Sequence, residues 1–145
     1  MEIHTIGFTQ KSAAEFFDAL RGAGIRRLID VRLNNTSQLA GFAKRDDLRF
    51  FLHEIRRADY RHEPALAPTK EILDDYKKKR MSWEEYETRF RALLAERAVE
   101  NLIDRRLFDV PVALMCSEPT PECCHRRLAA EYLAAKWGDV RIIHL

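Results

Sequence analysis

Val110-Pro-Val-Ala-Leu-Met-Cys116, followed directly by Ser117-Glu-Pro-Thr-Pro-Glu-Cys-Cys-His-Arg126, is the stretch that decides how this chain reads. The first part is the most continuous apolar run in the sequence. A short run of that kind, without polar alternation, predicts a strand buried on both faces, as in the middle of a parallel sheet. The second part predicts a helix. Thr120 reads as its N-cap and Pro121 as its first helical residue. That helix runs to about Trp137, with Gly138 at its end. Val140–Leu145 then reads as a last strand.

Upstream, the same alternation repeats. Ile3–Phe8 is a short strand with Gly7 near its exit. Ser12-Ala-Ala-Glu15 is a capping box, in which the serine hydroxyl and the glutamate carboxylate each satisfy a backbone N–H of the other. Phe16, Phe17 and Leu20 follow at helical spacing, and Gly22 and Gly24 stop the helix. Arg27–Arg32 reads as a buried strand ending in two charges. A polar loop, Leu33–Phe42, leads to a helix over about Lys44–Ala58 with Leu48, Phe51, Leu52 and Ile55 on one face. Tyr60–Pro64 reads as a short strand and 69–80 as a polar helix. Ser82-Trp-Glu-Glu85 opens a long helix, with Trp83, Tyr86, Phe90, Leu93 and Leu94 on one stripe, extending toward Leu107. That stripe reads as core rather than as a stacking platform. Strands alternating with helices predict an α/β fold, a layered domain spanning 1–145 with a central, mostly parallel sheet flanked by helices.

Composition narrows the function classes. The chain has 145 residues, 46% of them hydrophobic, which supports a packed core rather than disorder. Its 25 Lys and Arg against 23 Asp and Glu leave a net charge of only +2, so binding to nucleic acid by bulk charge is disfavoured. The basic pairs and the Lys77–Arg80 run are interleaved with acidic residues and read as solvated helix faces. No apolar run has a membrane-spanning length, and MEIHTIGFTQ has no signal-peptide pattern. Three cysteines, two of them adjacent, suggest no disulfide framework. A reduced, cytoplasmic protein is expected.

In open parallel sheets, ligands bind beyond the carboxyl ends of the strands. The predicted strand exits carry Gly7–Gln10, Asp30–Arg32, His62 and Cys116–Glu118. The predicted start of the last helix adds Cys123, Cys124, His125 and Arg126. Unpaired N–H groups at a helix start favour anions and thiolates. On a helical wheel, His125 shares the stripe of Leu128, Ala129 and Tyr132, whereas Arg126 is turned toward the edge of that stripe or the mouth of a site. Cys116, Glu118 and Asp30 are therefore the candidate catalytic groups. Arg32, Arg126, His125, Cys124 and Thr9 are the candidate ligand-binding groups. Asp30 and Arg32 lie on one face of their strand, and fit a buried ion pair as well as an anion clamp. Asn34, Asn35, Thr36 and Ser37 add a polar loop.

No cofactor is expected, since no G-x-G-x-x-G, Walker or G-x-S-x-G pattern occurs. No metal is expected either. Zinc would draw on Cys116, Cys124 and His125, with Glu118 or His62, but there is no C-x-x-C pair. Neighbouring residues on a helix also point ~100° apart, which separates Cys124 from His125. The expected partner is an anionic small molecule or nucleotide, and not a membrane; the alternative is a non-catalytic module that binds protein or nucleic acid through its basic helical faces. Oligomeric state is not legible.

The chain resembles the DUF488 family, whose function is unassigned. The resemblance rests on TIGFT at 5–9, GIRRLIDVR at 24–32, YRHEPAL at 60–66, SWEEYETRF at 82–90 and ALMCSEPTPECCHRRLAAEYL at 113–133. It carries over Asp30, Arg32, Cys116, Glu118, Cys124, His125 and Arg126. The family usually reads Ile-Gly-His-Ser at the first strand, where this chain has Phe8 in place of the histidine. It also tends to have proline after Asp-x-Arg, where this chain has Asn34-Asn35. A looser similarity is to rhodanese-like domains, through Leu28–Arg32 and a cysteine at a strand exit. It would imply thiol-dependent transfer through Cys116. The loop Ser117–Cys123, however, lacks glycine and holds two prolines.

Overall fold

The computed structural model describes residues 1–36, 41–118 and 120–145. Five strands form one sheet: β1 (Glu2–Gly7), β2 (Arg27–Asp30), β3 (Asp59–His62), β4 (Val112–Cys116) and β5 (Arg141–His144). Their order is β3-β2-β4-β1-β5, and every neighbouring pair is parallel. The apolar run at 110–116 supplies β4, the middle strand, which is buried at every position. It pairs with Ile3–Gly7 on one side and with Arg27–Asp30 on the other.

Alternation along the strands divides the core into two layers. One layer joins Ile6, Leu28, Ala113 and Met115 to α1 (Ala13–Gly22) and α2 (Arg45–Phe51) through Phe16, Leu20 and Leu48. The other joins Ile3, Ile29, Val112 and Leu114 to α3 (Lys70–Lys77), α4 (Trp83–Arg97), α5 (Val99–Leu102) and α6 (His125–Trp137), through Ile72, Phe90, Leu94, Val99 and Leu128. This is the expected α/β architecture. The capping box of α1 forms: Glu15 N–H donates to Ser12 Oγ at 3.1 Å, and Ser12 N–H donates to the Glu15 carboxylate at 3.0 Å. Tyr86, Phe90 and Leu94 are buried in the core, while Trp83 at the start of the same stripe is only half-buried.

Several boundaries differ from expectation. Helix α6 begins at His125, not at Pro121. Thr120 and Pro121 lie in a preceding turn, and the N-cap is Cys124 in an extended conformation, φ −133° and ψ 137°. A tertiary anchor overrides the local Thr-Pro signal, because both the N–H and the hydroxyl of Thr9 donate to Ser117 O, at 3.1 and 2.6 Å. The expected long helix stops at Arg97 and Ala98 turns left-handed, φ 49°. Arg97 Nη1 donates there to the carbonyls of Ala65 and Ala67 at 2.9 and 2.7 Å. Helix α2 ends at Phe51 and continues as a π turn, Leu52–Arg56, closed by left-handed Arg57. Strand β2 ends at Asp30, two residues early, and Phe8 lies outside β1.

The topology locates a crevice. From β2 the chain crosses one face through α2 to β3 on one edge. From β4 it crosses the other face through α6 toward β5 on the opposite edge. The loops after β2 and β4 therefore part on opposite sides of adjacent strands. Such a switch point opens a crevice at the carboxyl ends. No helix among the described residues is long and apolar enough to cross a membrane.

Candidate functional site

The β2 exit is a closed charge network. Arg32 grips Asp30 with two parallel bonds, Nε to Oδ1 at 2.9 Å and Nη2 to Oδ2 at 2.8 Å. The Arg32 backbone N–H also donates to Oδ1, and the Tyr60 hydroxyl donates to Oδ2 at 2.6 Å. Arg32 Nη2 reaches the Ala43 carbonyl as well, at 2.7 Å. The guanidinium lies over the Phe8 ring, 5.0 Å from its centroid. Asp30 is fully buried and accepts four hydrogen bonds, so its carboxylate is committed to holding Arg32. Burial, reinforced by Asp30, pushes the Tyr60 hydroxyl far above its usual range. His62 Nε2 donates to Arg32 O at 2.7 Å.

The β4 exit is built differently. Arg126 is fully buried, not at the mouth of the site as the helical wheel suggests. It packs under the loop after β4. Its Nη1 donates to Glu118 O at 2.6 Å and to Cys116 Sγ at 3.1 Å, and its Nε reaches Thr5 Oγ1 at 3.3 Å. Nη2 is buried with no partner among the described residues. No carboxylate forms an ion pair with this guanidinium among the described residues. Burial lowers the Arg126 pKa to about 10. Its charge is also the next cause, after burial, of the lowered pKa of Lys11 and His144. Gly7 makes this packing possible. A Cβ there would overlap the Glu118 carbonyl and come within 2.9 Å of Arg126 Nη1.

The expectation of three free cysteines is corrected. Cys116 and Cys124 are bonded to each other, and only Cys123, which is exposed, is free. Starting α6 four residues later than Pro121 places Cys123 and Cys124 ahead of the helix rather than in its first turn. The extended backbone of Cys124 turns its side chain back to the β4 exit. His125 begins the helix, and its Nε2 donates to Val31 O at 2.6 Å. Burial lowers the imidazole pKa to about 4, which keeps the ring neutral near pH 7.

Between these two exits lies a cavity of about 390 Å³. Arg32, Asn34, Lys77, Cys116, Glu118 and His125 are among its walls. A neighbouring cavity of about 360 Å³ shares Lys77, Glu118, Cys124 and His125 with it. It extends the crevice along Tyr76, Trp83 and Tyr86, with Lys79 beside them. Tyr76 and Trp83 meet edge to face, and Trp83 stacks on Tyr86 with centroids 5.0 Å apart. Of the candidate residues, the crevice gathers Arg32, Cys116, Glu118, Cys124 and His125. Asp30, Arg126 and Thr9 do not line it. Asn35 is buried and donates to Tyr60, and Ser37 lies outside the described residues. Sequence reasoning missed Lys77, Lys79, Tyr76 and Trp83. Their signal was the basic run after an amphipathic helix, whose first and third residues turn out to line a cavity. The ammonium groups of both lysines lack a carboxylate partner among the described residues.

The sequence profile of one family, Domain of unknown function DUF488, matches residues 12–133. No curated protein and no solved structure matches the chain. The match agrees with the resemblance read from the motifs, and rhodanese-like similarity is not shown by it.

Proposed function

Because the chain belongs to the DUF488 family, whose activity is unassigned, we propose that it binds an anionic, nucleotide-like small molecule in the crevice between the β2 and β4 exits. One observation carries this reading. Two lysines, Lys77 and Lys79, stand along the crevice beside Arg32, whose charge Asp30 already balances, and the lining holds a single carboxylate, Glu118. The volumes fall in the usual range for small-molecule sites, ~300–1,000 Å³. Tyr76 and Trp83 supply an apolar wall suited to a flat ring, and the lysines suit a phosphate or carboxylate. Glu118 and His125 line the cavity and are proposed to contact what binds, joined by Cys116 as a thiol only in the reduced protein.

The test is thermal unfolding with ADP, pyrophosphate and adenosine as probes. ADP raises the melting temperature more than adenosine does, and Lys77→Ala removes most of that difference. Equal or absent shifts for all three probes would refute the reading.

A second reading, thiol-dependent transfer through Cys116, is favoured by the 3.1 Å contact from the unpaired Arg126 cation to Cys116 Sγ. A cation at that distance favours a thiolate. This chemistry needs the reduced protein, because a disulfide sulfur has no free thiolate. A nucleic-acid partner has no comparable observation in its favour.

A further inference from the structure

The floor of the crevice brings together three donors that the sequence had appeared to keep apart. Cys116 Sγ, Cys124 Sγ and a ring nitrogen of His125 all lie within 4.8 Å of one another. The objection to a shared ion assumed that Cys124 and His125 both sit inside a helix. Cys124 is the extended N-cap instead, so its side chain and that of His125 converge. A carbonyl only accepts, so the His125 Nε2 facing Val31 O carries the proton. In the neutral ring, Nδ1 then keeps its lone pair. Metal-binding histidines are commonly oriented in this way, with the other ring N–H held by a carbonyl. Arg126 Nη1 donates to Cys116 Sγ and favours that sulfur as an anion. The two cysteine Cα atoms are 7.5 Å apart, beyond the ~4.4–6.8 Å usual for a disulfide. Two thiolates on one ion, each ~2.3 Å from it, suit a wider spacing.

We propose that, in the reduced protein, the Cys116 and Cys124 thiolates and His125 Nδ1 bind one Zn²⁺ ion whose fourth position opens into the crevice. Two thiolates and one imidazole are a donor set for borderline-soft ions such as zinc. Three protein ligands with an open position are the pattern of a zinc ion that polarises a bound water or ligand. Glu118 lines the same crevice. A dithiol reductant gives the Cys116–Cys124 bond two electrons and two protons and is itself oxidised to a disulfide. Zinc then displaces the two thiol protons, which leave to solvent. The proposal does not depend on the anionic ligand, and its test uses metal alone.

The test takes the full chain, reduced, stripped with a chelator, and titrated with Co²⁺ as a spectroscopic stand-in and then with Zn²⁺. Expected are one equivalent of bound metal, a sulfur-to-cobalt charge-transfer band with strong tetrahedral ligand-field bands, and displacement by zinc. Zinc protects two of the three thiols from alkylation and leaves Cys123 reactive. Cys123→Ser keeps the one-to-one stoichiometry and the cobalt bands, and removes only the thiol that stays reactive. His125→Ala, confirmed folded by circular dichroism, weakens binding at least ~10-fold, since even outer-shell losses cost about that much. Wild-type protein with three free thiols that gives no cobalt–thiolate band at one equivalent would overturn the proposal. So would equal alkylation of all three thiols in the presence of zinc.

Discussion

The exits of β2 and β4 each hold a buried arginine, and the two are treated in opposite ways. Arg32 has a bidentate carboxylate, a carbonyl and an aromatic face. Arg126 has only a hydroxyl, a carbonyl and a sulfur, and one of its nitrogens has no partner among the described residues. The first arrangement neutralises a charge and fixes a loop. The second leaves a cation in low-dielectric surroundings beside a cysteine, where its field is strong. A buried charge without a counter-charge is costly for stability. On the proposed function, the β4 side is the working side and the β2 side its frame.

This contrast can be broken in several ways. The largest effect is expected from Gly7→Ala, which drives a methyl group into the Glu118 carbonyl and Arg126. It should cost more than about 4 kcal/mol in chemical denaturation. A cost under about 1 kcal/mol would mean that the β4 exit does not pack on Gly7. Next comes Arg32→Met, which strands the Asp30 carboxylate and should cost about 3–5 kcal/mol. In the disulfide-bonded protein Arg126→Met strands no charge, so it should cost less than about 1.5 kcal/mol despite the complete burial of the residue. If the two arginine variants lose equal stability, the proposed asymmetry fails.

A pH series sharpens the same side. The folded pKa of His125 is lowered to about 4, against ~6.5 unfolded. Unfolding therefore takes up a proton between these values. The associated stability is complete above pH ~6.5 and is lost as pH falls toward ~4. One edge of the ring faces the crevice and is screened, so the loss should reach about 2 kcal/mol at most. His125→Gln should flatten that slope, and an unchanged slope would assign the acid sensitivity elsewhere.

Much of the frame was legible because local and tertiary signals agree there. The Ser12 capping box, the apolar run of β4 and the buried strand that starts at Arg27 each specify one answer. The working side was legible in its residue types but not in its arrangement. Thr120-Pro121 is a sound local helix start, yet Thr9 and Gly7 dock the loop that contains it, and the helix starts at Cys124-His125. That shift undid three expectations together. It moved Cys124 out of the helix and brought it to Cys116. It also aligned Cys124 with His125 around one point. Arg126 was misread for a related reason. A charged residue counts as polar in any periodic pattern, and nothing in the sequence says that Thr5 and the Glu118 carbonyl will enclose it. Lys77 and Lys79 line a cavity only because α3 ends beside α6, a long-range fact that no window of sequence contains.

In the reduced protein, we propose, the Cys116 thiolate is the counter-charge of Arg126, which has no carboxylate partner among the described residues. The most direct measurement is the pH titration of thiolate ultraviolet absorbance in the double variant Cys123→Ser, Cys124→Ser, which leaves Cys116 as the sole thiol. A midpoint below ~8.5, the unperturbed thiol value, is expected, and it rises when Arg126→Met is added. A midpoint at or above ~8.5 that does not move with Arg126→Met would contradict it.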